Sequence, residues 1–158
     1  MTTTRSALGL VGWLALCWGV PVVGASLSGD LGQWYQQLHK PPWTPPAWVF
    51  GPVWATLYTL MGLAAWLVWR RGGWAGAGPA LTLFLVQLLL NAAWTPLFFG
   101  LHHLGAALVE VGVLWVAIVA TLLFFWRHST LAGVLLLPYL GWVSLASALN
   151  YTLWRMNP

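Results

Sequence analysis

Charge is what this chain has least of. Of its 158 residues, two are acidic and six are Lys or Arg, 5% in all, where a water-soluble domain carries about 25%. So few charges cannot cover a solvated globule, and that class is excluded. A hydrophobic content of 60% and a mean hydropathy of +0.79 point instead to an integral membrane protein. Cysteine is nearly absent too: the lone Cys17 rules out an intramolecular disulfide. The net charge of +4 comes from residues scattered singly or in pairs, without the clustered basic face that nucleic acid requires. Ser/His/Asp sets, metal-ligand clusters and phosphate loops are missing, so no metal and no cofactor is expected. A cleavable leader is not expected either, because the apolar run after Arg5 is about long enough to span and lacks a small-x-small processing site.

Apolar runs, by contrast, are plentiful. A membrane span needs about 20 predominantly apolar residues, and five stretches qualify: 7–27, 47–69, 80–101, 105–126 and 131–154. They predict an all-α membrane protein, a bundle of five transmembrane helices forming one domain over 1–158. The connections are 28–46, 70–79, 102–104 and 127–130. Only the first is long, and its 31–38 section suits a short interfacial helix with Trp34, Tyr35 and Leu38 toward the membrane or a pocket. Arg5, Arg70, Arg71 and Arg127 fall on one side, Lys40 and Arg155 on the other. The positive-inside rule then puts the N-terminus in the cytoplasm, with a bacterial cell membrane the expected location.

Aromatics and prolines are abundant, with 14 Trp and 10 Pro. They concentrate in 40–58, where Pro41, Pro42, Pro45 and Pro46 stiffen a loop. Thr44 is the expected cap of the helix that follows, with Pro45 and Pro46 in its first turn. Phe50, Trp54, Tyr58 and Met61 then share one helical face. Pro21, Pro52, Pro96 and Pro138 sit inside four of the five spans; each frees a backbone carbonyl and favours a kink, which suggests a bulged interior. The third stretch carries Gln87, Asn91, Trp94, Thr95 and Phe98 on one face, and the fifth carries Tyr139, Trp142, Ala146 and Asn150. Trp54, Tyr58, Asn91, Trp94, Phe98 and Trp142 can therefore line a flat, aromatic, sparsely polar cavity of the kind that holds small molecules. Plain core packing, with the amides bonding between helices, is the alternative. Leu149, Tyr151 and Arg155 match a weak sterol-contact pattern, but equally an interfacial belt. Glu110 is the one carboxylate within a span, a functional candidate by position. His102 and His103 mark a tight turn, with axial ligation of a metalloporphyrin the less ordinary reading.

Three segments resemble the TspO/translocator protein family: Lys40-Pro-x-Trp43-x-Pro-Pro-x-x-x-Phe50-x-x-x-Trp54-x-x-Leu-Tyr58-x-x-Met61-Gly; Gln87-Leu-x-x-Asn91-x-x-Trp94-Thr-Pro-x-Phe-Phe99; and Pro138-Tyr-x-x-Trp142 running on to Leu149-Asn150 and Trp154-Arg155. The resemblance implies five membrane helices, homodimers, and binding of protoporphyrin IX and related tetrapyrroles. Cholesterol-like lipids and synthetic benzodiazepine-type and isoquinoline-carboxamide ligands are implied as well. It implies a pocket beneath the first loop at Tyr35, Trp54, Asn91, Trp94, Trp142 and Ala146, and a sterol motif at Leu149, Tyr151 and Arg155. In bacterial relatives, the aromatics matching Tyr35, Trp54 and Trp142 are associated with light-dependent breakdown of protoporphyrin. The expected function is thus a membrane receptor or sensor for tetrapyrroles, including haem-like ones, and hydrophobic small molecules, acting in porphyrin homeostasis or stress response. A light-dependent porphyrin-degrading enzyme is the alternative. A porphyrin or sterol transporter is a third, against which stands the lack of an inverted repeat. Glu110 matches no pattern of the family.

Overall fold

Inside a bilayer every backbone N–H and C=O must find its partner within the protein, and long apolar runs meet that demand by coiling. The computed structural model describes residues 1–29 and 32–158. Asp30 and Leu31, which fall within the 28–46 connection and its expected 31–38 helix, lie outside the described residues. The described chain is helical almost throughout: α1 Thr3–Ser28, α2 Gln33–Gln37, α3 Ala47–Thr95, a π-helical turn Pro96–Gly100, α4 Leu104–His128 and α5 Thr130–Met156. Thr2 caps α1 by accepting from the Arg5 amide, and Ser129 caps α5 by accepting from that of Ala132. Among the described residues four helical runs are long and apolar enough to cross a membrane: α1, α3 with its π-helical turn, α4 and α5.

The third element cannot be one straight rod. Its 49 residues would extend about 74 Å, more than twice the roughly 30 Å of a hydrocarbon core. The rod breaks at Gly73, whose φ of 56° and ψ of −163° suit glycine alone, and again at Ala77. Beyond the break the chain doubles back. The Tyr58 hydroxyl donates to Asn91 Oδ1 at 2.7 Å although 33 residues separate them. Two antiparallel arms, 47–72 and 78–95, therefore stand side by side, and the expected 70–79 connection is a tight corner in an otherwise continuous helical run.

Helix α3 also starts differently from expectation. Pro46, with an extended ψ of 144°, is its cap and contributes no side-chain bond. Thr44 does not cap the helix, because both its hydroxyl (2.7 Å) and its amide (3.1 Å) donate to the Pro41 carbonyl and close a turn over 41–44. Pro45 and Pro46 thus precede the helix.

The two ends of the bundle are distinct. At one end Arg5 lies over Trp69, Arg70 over Trp66, and Arg71 Nη1 donates to the His128 carbonyl at 2.7 Å. Arg5, Arg70, Arg71 and Arg127 are so gathered together. At the other end the Asn157 side chain pairs with the His39 backbone, Nδ2 to O at 3.0 Å and N–H to Oδ1 at 2.9 Å, beside Lys40 and near Arg155. The outer surface is studded with exposed Leu8, Val22, Leu89, Val109, Val116 and Leu123, as lipid contact demands. The protein is an integral, multi-pass membrane protein.

The arginine half of the interior is solid. Phe84 stacks on Phe125 at 5.6 Å and meets the edge of Trp13 at 5.7 Å. Met61, Val68, Leu81 and Leu136 fill around them, each almost wholly buried. Gly62 lets α1 close in: a Cβ there would stand 3.1 Å from Leu14 Cα.

Candidate functional site: an aromatic cavity

Toward the opposite end the bundle opens into a cavity of about 380 Å³, within the range of small-molecule pockets. The first arm of α3 supplies Phe50, Trp54 and Tyr58 at successive turns, the face expected from their spacing of four. Met61, the last of that face, is wholly buried in the solid half instead. The second arm supplies Asn91 and Trp94, and α5 supplies Trp142 and Ala146. Phe50 meets Trp142 edge to face at 5.6 Å, while Trp54 lies stacked on Tyr58 at 5.4 Å. Both are favourable geometries for the ring quadrupoles and hold the walls apart as flat panels.

A chain of hydrogen bonds braces the floor. Tyr58 donates to Asn91 Oδ1 (2.7 Å), Asn91 Nδ2 donates to the Tyr139 hydroxyl (2.8 Å), and Tyr139 donates to Gln87 Oε1 (2.7 Å). Tyr139 is fully buried, so these bonds are made away from competing solvent. The Tyr58 proton is committed to Asn91, which leaves the Tyr58 oxygen an acceptor toward the cavity and the second Asn91 N–H a donor. A second brace ties three helices: Trp94 Nε1 donates to Asn150 Oδ1 at 3.2 Å, and Asn150 Nδ2 to the Leu104 carbonyl at 2.9 Å. Among the described residues of the wall, Tyr58 alone carries an ionisable side chain. The cavity is built to hold a flat apolar body by stacking and one polar edge by hydrogen bonds.

Six of the expected residues, Trp54, Tyr58, Asn91, Trp94, Trp142 and Ala146, share this wall. Tyr35 and Phe98 do not reach it. Phe98 is buried behind Trp94, stacked at 4.7 Å, and Tyr35 packs one layer further out against Phe98 and Phe99. Burial raises the Tyr35 hydroxyl above its ordinary pKa, its oxygen has no partner among the described residues, and Lys40 Nζ stands 4.8 Å from its ring. Trp34 lies flat on His102 at 4.3 Å, so α2 is fastened to the turn before α4. Leu149 is buried against Phe98 and Leu104 while Tyr151 and Arg155 face outward; the three do not share one surface. Glu110 has both oxygens buried with no partner among the described residues and lies outside the cavity wall.

Other wall residues do not stand out in the sequence. Trp18, Pro21 and Ala25 bring α1 into the cavity, and their steps of three and four are the available signal. Phe99 figures in the sequence only as the end of a motif. Tyr139, marked there only by the face it shares with Trp142, is the hub of the floor.

Residues 13–155 match the TspO/MBR family. The chain is 43% identical over 145 residues to the tryptophan-rich sensory protein of Cereibacter sphaeroides, covering 92% of this chain and 89% of that one. It is 42% identical over 153 residues to the human translocator protein, covering 87% and 90%. With the tryptophan-rich protein TspO of Chlorobaculum tepidum the identity is 41% over 150 residues, covering 92% and 93%. Since the matched span takes in every wall of the cavity, from Trp18 to Ala146, the chain belongs to the TspO/MBR family.

Proposed function

We propose that this protein is a membrane receptor or sensor whose aromatic cavity binds a tetrapyrrole such as protoporphyrin IX, and through it takes part in porphyrin homeostasis or a stress response. The observation that carries the reading is the convergence of Phe50, Trp54, Trp94 and Trp142 with Asn91 around one space: panels for a planar conjugated ring, and a single amide for its polar edge. The Cereibacter relative is named a sensory protein, which supports the sensing role. In this reading both arms of α3 cross the bilayer, giving five crossings with the arginine-bearing end in the cytoplasm, and the protein works as a homodimer in a bacterial cell membrane. Titrating protoporphyrin IX and following tryptophan quenching tests it. Trp142→Ala and Asn91→Ala should each weaken binding about tenfold, or 1.4 kcal/mol; unchanged affinity in both rejects the cavity as the site.

A light- and oxygen-dependent porphyrin-degrading enzyme is the second reading, favoured by Trp54 stacked on the hydrogen-bonded Tyr58, electron-rich rings on the cavity wall, with dioxygen as the oxidant. Loss of photoproduct in Trp54→Phe with binding retained would select it.

A further inference from the structure

The cavity is not equally closed on all sides. Toward α2 aromatic rings stand between the cavity and a second space of about 450 Å³ lined by Gln33, Trp34, Gln37 and Phe99. Phe99 forms the wall, Tyr35 lies against Phe98 and Phe99, and Trp34 packs on Phe98 and on His102. Outside this, the segment leading to α3 is held by the paired bonds between Asn157 and His39. No residue of 32–46 lines the cavity.

The side between α1 and the first arm of α3 is built differently. The two helices run antiparallel, tied by Trp66 Nε1 to the Ser6 carbonyl at 2.9 Å and by Trp18 Nε1 to Thr59 Oγ1 at 3.3 Å. Past Trp18, toward the α2 end, no hydrogen bond among the described residues joins them. Counting onward from Trp18 and Thr59 puts Pro21 level with Ala55 and Thr56, and Ala25 level with Gly51 and Pro52. Pro21, Ala25, Ala55 and Gly51 line the cavity, and Ala25 and Gly51 are exposed. Beyond the Trp18 ring, which borders the seam, none of these four residues carries a large side chain. Over the same stretch α1 leans on the second arm and the π-helical turn instead: a Cβ on Gly24 would stand 3.3 Å from Thr95 Cβ, and one on Gly100 3.4 Å from Ser28 Cα.

We infer that the seam formed by Pro21 and Ala25 with Ala55 and Gly51 is the door of the cavity, and that a flat apolar ligand passes through it directly from the bilayer rather than from water past α2. The identity of the ligand rests on the function proposed above; the position of the door does not. A ligand drawn from lipid arrives already concentrated by partitioning and needs no opening of the helical lid.

The test uses the full chain in phospholipid nanodiscs. Cys17 is fully buried, so the unsubstituted chain is the blank for thiol labelling. Ala146→Cys places a thiol on the wall, to be reacted with a lipid-partitioning alkyl maleimide and, separately, with a charged water-soluble one. The alkyl reagent should react and the charged one lag behind it. Adding Gly51→Phe should slow the alkyl reagent about tenfold. A Cβ at Gly51 meets nothing within 4 Å, so the backbone has room for a side chain there, and Ala25→Phe repeats the plug from the other wall. Asn157→Ala, which loosens the lid, should leave the rate unchanged. Faster entry of the charged reagent, or acceleration by Asn157→Ala with no effect of either plug, overturns the inference. In parallel, Gly51→Phe should slow protoporphyrin IX association about tenfold, and an unchanged association rate would count against the door. Absence of protoporphyrin binding in the unsubstituted chain would remove that ligand alone, since the labelling arm still decides where the door is.

Discussion

The two halves of this bundle are made from the same helices yet do opposite things with aromatic rings. In the arginine half, Trp13, Phe84 and Phe125 stack edge and face against one another. In the other half, Phe50, Trp54, Trp94 and Trp142 stand around an opening. The difference lies in what holds the rings. The solid half is packed by apolar neighbours that follow one another inward, and Gly62 lets the backbones approach. The hollow half is propped by directional bonds, Tyr58–Asn91–Tyr139–Gln87 and Trp94–Asn150–Leu104, whose lengths fix helix separations that dispersion would otherwise close.

The largest expected effect breaks the solid half. Phe84→Ala removes a fully buried ring and should cost about 3–5 kcal/mol of stability, seen as a lower midpoint of unfolding in mixed micelles, while protoporphyrin affinity of the folded fraction stays the same. Trp142→Ala should do the reverse. Its ring faces a cavity, so less packing is lost, and the stability change should fall below that of Phe84→Ala while affinity drops about tenfold. Equal stability losses at both positions would erase the distinction between the halves.

Much of this contrast is legible in the residues. The spacing of Phe50, Trp54 and Tyr58 and the amide at Asn91 mark the hollow half, because helical periodicity and the rarity of buried polar groups are local properties. How far each wall residue reaches is not local. Phe98 lies on the same face as Asn91 and Trp94, yet Pro96 opens a π-helical turn there that swings Phe98 behind Trp94 and puts Phe99 on the wall. Tyr35 depends on the path of a loop, which no periodicity records. Gly73 shows the limit of reading breaks from composition: the glycine-rich 72–78 stretch announces a corner, but helical bonding continues up to it on both sides.

A smaller effect sharpens the comparison. Tyr139→Phe keeps the ring and deletes the hydroxyl, leaving Gln87 Oε1 without its donor and Asn91 Nδ2 without its acceptor. Hydrogen bonds between membrane helices average about 0.6 kcal/mol, so two lost bonds should lower stability by about 1 kcal/mol. Asn91 is then free to turn, and protoporphyrin binding should weaken severalfold even though Tyr139 is buried beneath the wall. Stability lost without any change in affinity would mean that the floor serves the fold and not the cavity.

The smallest effect concerns the end of the hollow half that faces water. Asn157 presents its amide to the His39 backbone as a neighbouring strand would, giving one bond and taking one, and gives a further bond to the Leu153 carbonyl at 2.9 Å. The two bonds to His39 are exposed, so each contributes little net stability, about 0.5–1.5 kcal/mol at most. Asn157→Ala should therefore leave the unfolding midpoint almost unmoved. What should change is local: the His39 amide loses its acceptor, and its hydrogen exchange should speed up while amides of the Phe84 and Phe125 turns keep their rates, since local opening samples far smaller free energies than global unfolding. Faster exchange spreading into the solid half would show that the two halves open together, and that the props of the cavity and the packing beneath it form a single cooperative unit.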